Sequence, residues 1–237
     1  MTWSIVAHDA ETGAFGVAVA TRFFAVGALC AHARSGVAAL ATQALINPSY
    51  GPAGLALLAE GIAPAEVAER LLAADAGREH RQLHLIDRHG RIAQHTGTSC
   101  IAWCGARAGQ GYSVAGNMLA GAAVVEDTAA AYEAGAALPF AERLLAALDA
   151  GEAAGGDKRG KQSAALRIFT SEVYPSLDLR VDDHPEPLAE LRRLNAVSKE
   201  IFQPFLAFLP TNANPAGIYD RAAIDTALAR RSPRREG

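Results

Sequence analysis

Residue 2 is a threonine at the head of the apolar run TWSIVAH, and a threonine there can do chemistry as well as form a strand. Its small side chain permits removal of the initiator Met1, which would leave a hydroxyl and a free α-amine on the same residue. A hydroxyl is a poor nucleophile until a base takes its proton, and an α-amine with a reference pKa of about 7.7–8.0 can be that base near neutrality. A nearby cation pushes the amine toward its neutral form, and Arg22, at the end of the next apolar run, is the candidate source of that field. The plainer reading is that Thr2 is a β-branched residue suited to a pleated surface.

The segment Gly155-Gly156-Asp157-Lys158-Arg159-Gly160-Lys161-Gln162 nearly spells a phosphate-cradling loop. Gln162, however, stands where a magnesium-binding hydroxyl belongs, and the segment leads into a strand instead of opening a helix. An anion-facing loop fits better. Arg159 offers a bidentate fork to a carboxylate and Asp157 a grip for an amine, which together suit an amino-acid-like amide. A solvated turn fits the same letters. Asn117, closing the run GYSVAGN, is either an amide donor to a developing oxyanion or an ordinary turn former. Thr42 and Gln43 end the run in ATQAL, with Asn47, Ser49 and Tyr50 soon after; this polar cluster lines a cleft or satisfies loop backbone.

Other chemistries are disfavoured. The seven histidines show no HExxH spacing and read as structural or exposed. Gly111-Tyr112-Ser113-Val114-Ala115 lacks the final glycine of a nucleophile elbow. Cys30, Cys100 and Cys104 form an odd set without an export signal, so buried thiols are expected, with no disulfide, no metal and no cofactor. Across 237 residues the formal net charge is -3, without the basic excess that binds phosphate backbones, so nucleic acid is not an expected partner. No apolar run is long enough to span a bilayer, so no membrane is expected and the cytoplasm is the default.

The elements that must position these residues follow from periodicity and turn chemistry. Residues 2–8 and 15–21 flank DAETGA as a hairpin, and Gly27–His32 with Val37–Ala44 flank Arg34-Ser35-Gly36 as another. Helices are expected over 53–60 and 65–74, then strands at QLHLID, RIAQHTG, CIAW and GYSVAG, then helices over 122–134 and 138–150 with Gly135 and Gly151 as stops. Strands SAALRIF and LDLRVDD and a helix near 186–202 close the pattern. Paired strands and paired helices favour an α+β fold, an antiparallel four-layer αββα sandwich, over a doubly wound sheet. The expected division is a domain over 1–202 and an extension over 203–237 whose last residues are mobile.

Five ordered segments, TWSIVAHDAETGAFGVAVATRFFAVGA, ATQALINPSYG, VAGNMLAG, GGDKRGKQSAAL and LRVDDHPEPLAELRRL, resemble the bacterial family designated domain of unknown function 1028, over about residues 1–195. That resemblance implies an N-terminal nucleophile hydrolase fold, also αββα, with Thr2 in the position of the nucleophile. It would lead one to expect a lysine at position 22, where Arg22 is not an equivalent tuner. It also supplies a pocket and so favours Asn117 as a site residue. The expected function is cleavage of a small amide through Thr2. The alternative is a non-catalytic protein that keeps the fold and pocket and binds a small metabolite. Ala-rich outer helix surfaces make a homodimer the expected assembly.

Overall fold

The computed structural model describes residues 2–229. Met1 and residues 230–237, and with them the expected trimming of Met1 and the mobile C-terminal end, lie outside the described residues. Strands β1 (Thr2–Asp9) and β2 (Ala14–Thr21) form the first hairpin, closed by Asp9, whose carboxylate accepts from Glu11 N and Thr12 Oγ1. Gly13 completes the turn at φ 72°, a left-handed conformation that glycine adopts without strain.

The hairpin sits in the middle of the larger of two antiparallel sheets. β1 pairs on its far side with β8 (Tyr112–Asn117), which is followed outward by β7 (Gly105–Gly109). β2 pairs with β9 (Ser163–Phe169) and then β10 (Leu177–Val181), so the six-stranded order is β10-β9-β2-β1-β8-β7. The four-stranded sheet runs β3 (Ala31–Arg34), β4 (Ala38–Ala44), β5 (Arg81–Asp87), β6 (Ile92–Thr96). Helices α1 (Tyr50–Ala59) and α2 (Pro64–Ala73) pack on the smaller sheet, and α3 (Ala123–Ala134) and α4 (Phe140–Ala153) on the larger. The protein is therefore a mixed α+β structure with two antiparallel sheets.

Side-chain alternation along the strands assigns the faces. Val6, Phe15, Val17 and Val19 of the larger sheet meet Ala39, Ala41 and Ile86 of the smaller one in a single apolar cluster. On the other face of the smaller sheet, Leu40, Leu83 and Leu85 pack with Tyr50, Leu58 and Val67 of the helices. Trp3 takes the opposite face of β1 from Thr2 and lies against α4. A Cβ on Gly151 would fall 2.6 Å from Trp3 Nε1 and 2.4 Å from Thr128 Oγ1. Gly151, expected to stop the helix, thus lies inside it, because only a bare backbone lets α4 pass over the indole.

Other expectations need correction. CIAW is not a strand: Ile101 and Trp103 accept from Met118 N and Leu119 N at 2.8 and 3.0 Å, bracing the end of β8, while GARAG takes the ladder position as β7. The run from Gly27 begins as a 3-10 turn, Val26–Ala28, and extends only from Ala31, because left-handed Ala25 (φ 52°) redirects the chain after β2. Helix α5 spans Pro187–Ser198, and the following segment contains α6 (Phe202–Phe205) and α7 (Arg221–Ala229). By contact the chain divides into two compact units, Met1–Leu191 and Arg192–Gly237. Every residue of the sites described below lies in the first.

Candidate active site

Thr2 opens the central strand β1, with its pair partner Asn117 closing β8. Its side chain lies on the inter-sheet face, 7% exposed, and its hydroxyl donates to Thr21 Oγ1 at 3.2 Å. Farther along the same face the space between the sheets is apolar, but near Thr2 it is filled by buried amides and hydroxyls. Ser4 donates to Gln43 Oε1 at 2.7 Å, and Gln43 Nε2 donates to Gln82 Oε1 at 2.8 Å and to Ala115 O at 3.2 Å. Asn117 Nδ2 donates to the same Gln82 oxygen at 3.0 Å. Gln82 Nε2 in turn reaches Thr96 Oγ1, Gly105 O and Gly116 O.

These directions fix the state of His84. Because the Ser4 proton is spent on Gln43, His84 Nε2 must donate to Ser4 Oγ at 2.8 Å. Its Nδ1 accepts from Ser113 Oγ at 2.9 Å, and Ser113 Oγ accepts from Gln94 Nε2. Burial pushes the imidazole down to about 3, so it is neutral, as this chain of donors requires. A fully connected buried polar network rigidifies the core around it.

A pocket of 270 Å³ opens beside the network. Thr2, Gln43, Arg159 and Cys30 line it together with apolar Phe23 and Leu45. Cys30 is fully buried and its thiol is pushed up to about 12 by that burial, so it stays protonated. Asn117 lines an adjoining pocket of 300 Å³ that shares Ala44 and Leu45 with the first. The backbone here is strained: Ala25, Ala44 and Met118 have φ of 52°, 70° and 55°. Such left-handed non-glycine residues cost about 1–3 kcal/mol each and gather at functional sites.

The structure thus brings Thr2, Gln43 and Arg159 to one pocket and Asn117 to its neighbour. Asp157 lies below Arg159: its carboxylate, 0% exposed, accepts from Arg22 N at 2.7 Å, Arg159 N at 2.9 Å and Arg159 Nη2 at 3.1 Å. Its oxygens hold the loop. Among the described residues Arg159 Nη1 has no partner. Arg22 Nη1 donates to Arg159 O at 2.7 Å, so its side chain lies along that loop.

Thr42 and Asn47 are not among the residues lining either pocket. Thr42 and Gln43 are adjacent on a strand and must face opposite ways; Gln43 faces the larger sheet, so Thr42 faces the helices and donates to Asn47 O at 3.2 Å. Asn47 belongs to a node around Asp75, whose Oδ2 also accepts from Tyr50 Oη at 2.7 Å and Arg81 Nε at 2.9 Å. Arg81 and then Tyr50 hold the Asp75 carboxyl well below the usual range, and burial followed by Asp75 pushes the Tyr50 hydroxyl up to about 12. Sequence reasoning missed Ser4, Gln82, His84 and Ser113. Their signal is a polar residue at alternate positions of otherwise apolar strands, in TWSIV, QLHLI and YSVAGN.

Among the described residues no group of three or more His, Cys, Asp or Glu side chains could hold a metal ion, and no helix is long and apolar enough to cross a membrane. What remains defines a class: an α+β protein whose two antiparallel sheets enclose a neutral polar network ending in a pocket at the head of the central strand. The chain belongs to the family of unknown function DUF1028, whose model matches residues 2–191, as the ordered motifs led one to expect. It is similar to protein SPO2555 from Silicibacter pomeroyi, a DUF1028 protein whose crystal structure matches with a TM-score of 0.86 and 32% identity over 93% of this chain and 96% of that one. Anbu (ancestral beta-subunit) from Yersinia bercovieri matches at 12% identity and a TM-score of 0.39, over 84% of this chain and 94% of that chain. No curated protein matches.

Proposed function

We propose that the protein is an amidohydrolase with a four-layer αββα sandwich of the N-terminal nucleophile type, acting through Thr2 after loss of Met1. The observation that carries this reading is the position of Thr2: first residue of the central strand, nearly buried, and lining a pocket with Arg159 and Gln43. The Thr2 hydroxyl attacks the carbonyl of a small amide while its own α-amine takes the proton and passes it to the departing amine. The C–N bond breaks and an ester to Thr2 remains. Water then attacks the ester, releasing the acid and restoring the hydroxyl. Asn117, whose Nδ2 has no partner but Gln82 among the described residues, is the proposed donor to the oxyanion. Arg159 Nη1, without a partner among the described residues, takes a substrate carboxylate, which suits an amino-acid-like amide. Arg22, tied to the 157–160 loop, contributes a positive field near the amine, and Asp157 acts by fixing Arg159. Residues 203–237 are proposed as an extension outside this chemistry.

Intact mass and a panel of small amides test the proposal. The expected result is a mature chain lacking Met1, covalent labelling of Thr2 by a hydroxyl-directed electrophile, loss of turnover by about three orders of magnitude or more in Thr2→Ala, and partial retention in Thr2→Ser. A mature chain that keeps Met1, or equal labelling of wild type and Thr2→Ala, would overturn it. In that case a metabolite-binding role for the same pocket becomes the better reading.

A further inference from the structure

A separate cavity of 670 Å³ lies at the opposite end of β1 from Thr2. Six steps of extended chain, about 20 Å, lead from Thr2 to His8 at its wall. The volume is within the range of small-molecule sites, roughly 300–1,000 Å³. Several of its polar groups are unspent among the described residues. Arg143 Cζ sits over the Tyr132 ring, 3.7 Å from the centroid, and Nε donates to Tyr132 O at 2.6 Å. Among the described residues neither terminal nitrogen of Arg143 has a partner. Tyr132 is 1% exposed, yet its hydroxyl has no hydrogen bond among the described residues. The imidazole of His8, stacked on Phe15 at 4.5 Å, and the amide of Gln110 are likewise without partners there. The ring of Tyr132 is buried while its hydroxyl reaches the cavity, so this hydroxyl and the half-buried guanidinium are two donors open to whatever occupies it.

We propose that this cavity binds a small zwitterion, a free α-amino acid or a short peptide with an apolar side chain. The guanidinium, fixed by its Nε bond and its place over the ring, presents its terminal nitrogens to a carboxylate, with the Tyr132 hydroxyl as second donor. An anion alone does not fit, because Asp9, Glu11 and Glu133 share the cavity with Arg143. Asp9 is already bound to its hairpin turn, and Glu133 accepts from Arg107 and the Tyr112 hydroxyl. Their negative charge remains, repels a phosphate dianion and favours a ligand that brings an ammonium group. Glu11 makes no side-chain bond among the described residues and is the partner for it. Leu138 and Phe140 supply an apolar wall. Burial lowers the His8 pKa, so its imidazole is neutral near pH 7 and does not compete with Arg143 for the carboxylate. Nothing in this site depends on a reaction at Thr2.

Isothermal titration of the full chain with L-phenylalanine and with L-phenylalanylglycine tests the proposal and separates the free amino acid from the peptide. At least one of the two is expected to bind saturably in the millimolar range or tighter. L-phenylalaninamide and N-acetyl-L-phenylalanine, each lacking one charge, are expected to bind roughly tenfold more weakly or worse. Arg143→Gln should weaken binding about tenfold. Tyr132→Phe should weaken it several-fold without lowering the thermal midpoint, since the lost hydroxyl has no protein partner, and it keeps the test available should Arg143→Gln fold poorly. Binding is expected to persist in Thr2→Ala. No binding of either zwitterion at millimolar concentration, equal binding of the analogues, unchanged affinity in Tyr132→Phe, or loss in Thr2→Ala would each overturn the proposal.

Discussion

His84 is where a single residue sets a measurable property of the protein. Folded, it stays neutral down to about pH 3 because burial disfavours the imidazolium; unfolded, it protonates near about 6.5. Between those values the unfolded chain binds more protons than the folded one. Stability is therefore complete above about pH 6.5 and falls as pH drops toward 3, by about 1.4 kcal/mol per pH unit. The loss at pH 5 relative to pH 7 is about 2 kcal/mol from this group. Urea midpoints of wild type and His84→Gln at the two pH values measure it: the variant starts less stable and loses less on acidification. Equal losses would show that the imidazole titrates alike in both states. The carboxylates, Asp75 included, act in both proteins and cancel in the comparison.

At the scale of elements, the passage of α4 over Trp3 makes Gly151 decisive. Gly151→Ala places a methyl 2.4 Å from Thr128 Oγ1 and 2.6 Å from the indole nitrogen, so the helix must shift. The expected cost is about 1–3 kcal/mol despite the higher helix propensity of alanine, read as a lowered denaturation midpoint. A midpoint raised by the substitution would show that the helix has room to spare. The same pair explains what could and could not be read beforehand. The hairpin of β1 and β2 was legible because Asp9 and Gly13 mark a turn between two apolar runs, and the helix pairs because Pro64 and the leucine spacing mark them. Strand β7 was not, since GARAG has no β-branched residue and owes its extension to pairing with β8. CIAW misled because apolar letters do not reveal that a segment braces a strand end. Within the site, Thr2, Gln43 and Arg159 were legible from residue type. Thr42 does not share a face with Gln43, because side chains alternate along a strand, and the same period of two marks Ser4, Gln82, His84 and Ser113.

The first unit as a whole is built from distant pieces. Thr2 pairs with Asn117 and Phe15 with Phe169, so the larger sheet cannot close until most of the chain has been made. Non-local pairing slows folding, and antiparallel β-rich domains of smaller size already take milliseconds to seconds. Refolding from urea, followed by the emission of the fully buried Trp3 in a Trp103→Phe variant, is expected to take about a second or longer. Completion within a few milliseconds would mean that the central hairpin assembles without its outer neighbours. Asn117 of β8, distant in sequence, lies beside Thr2, so the surroundings of Thr2 are complete only when that pairing is made. The placement of Thr2 at the very head of the innermost strand has a practical corollary for anyone assaying the protein. An affinity tag fused ahead of it would keep the proposed amine acylated, so an inactive preparation of that kind says nothing about the proposed activity; handles belong on the carboxyl side.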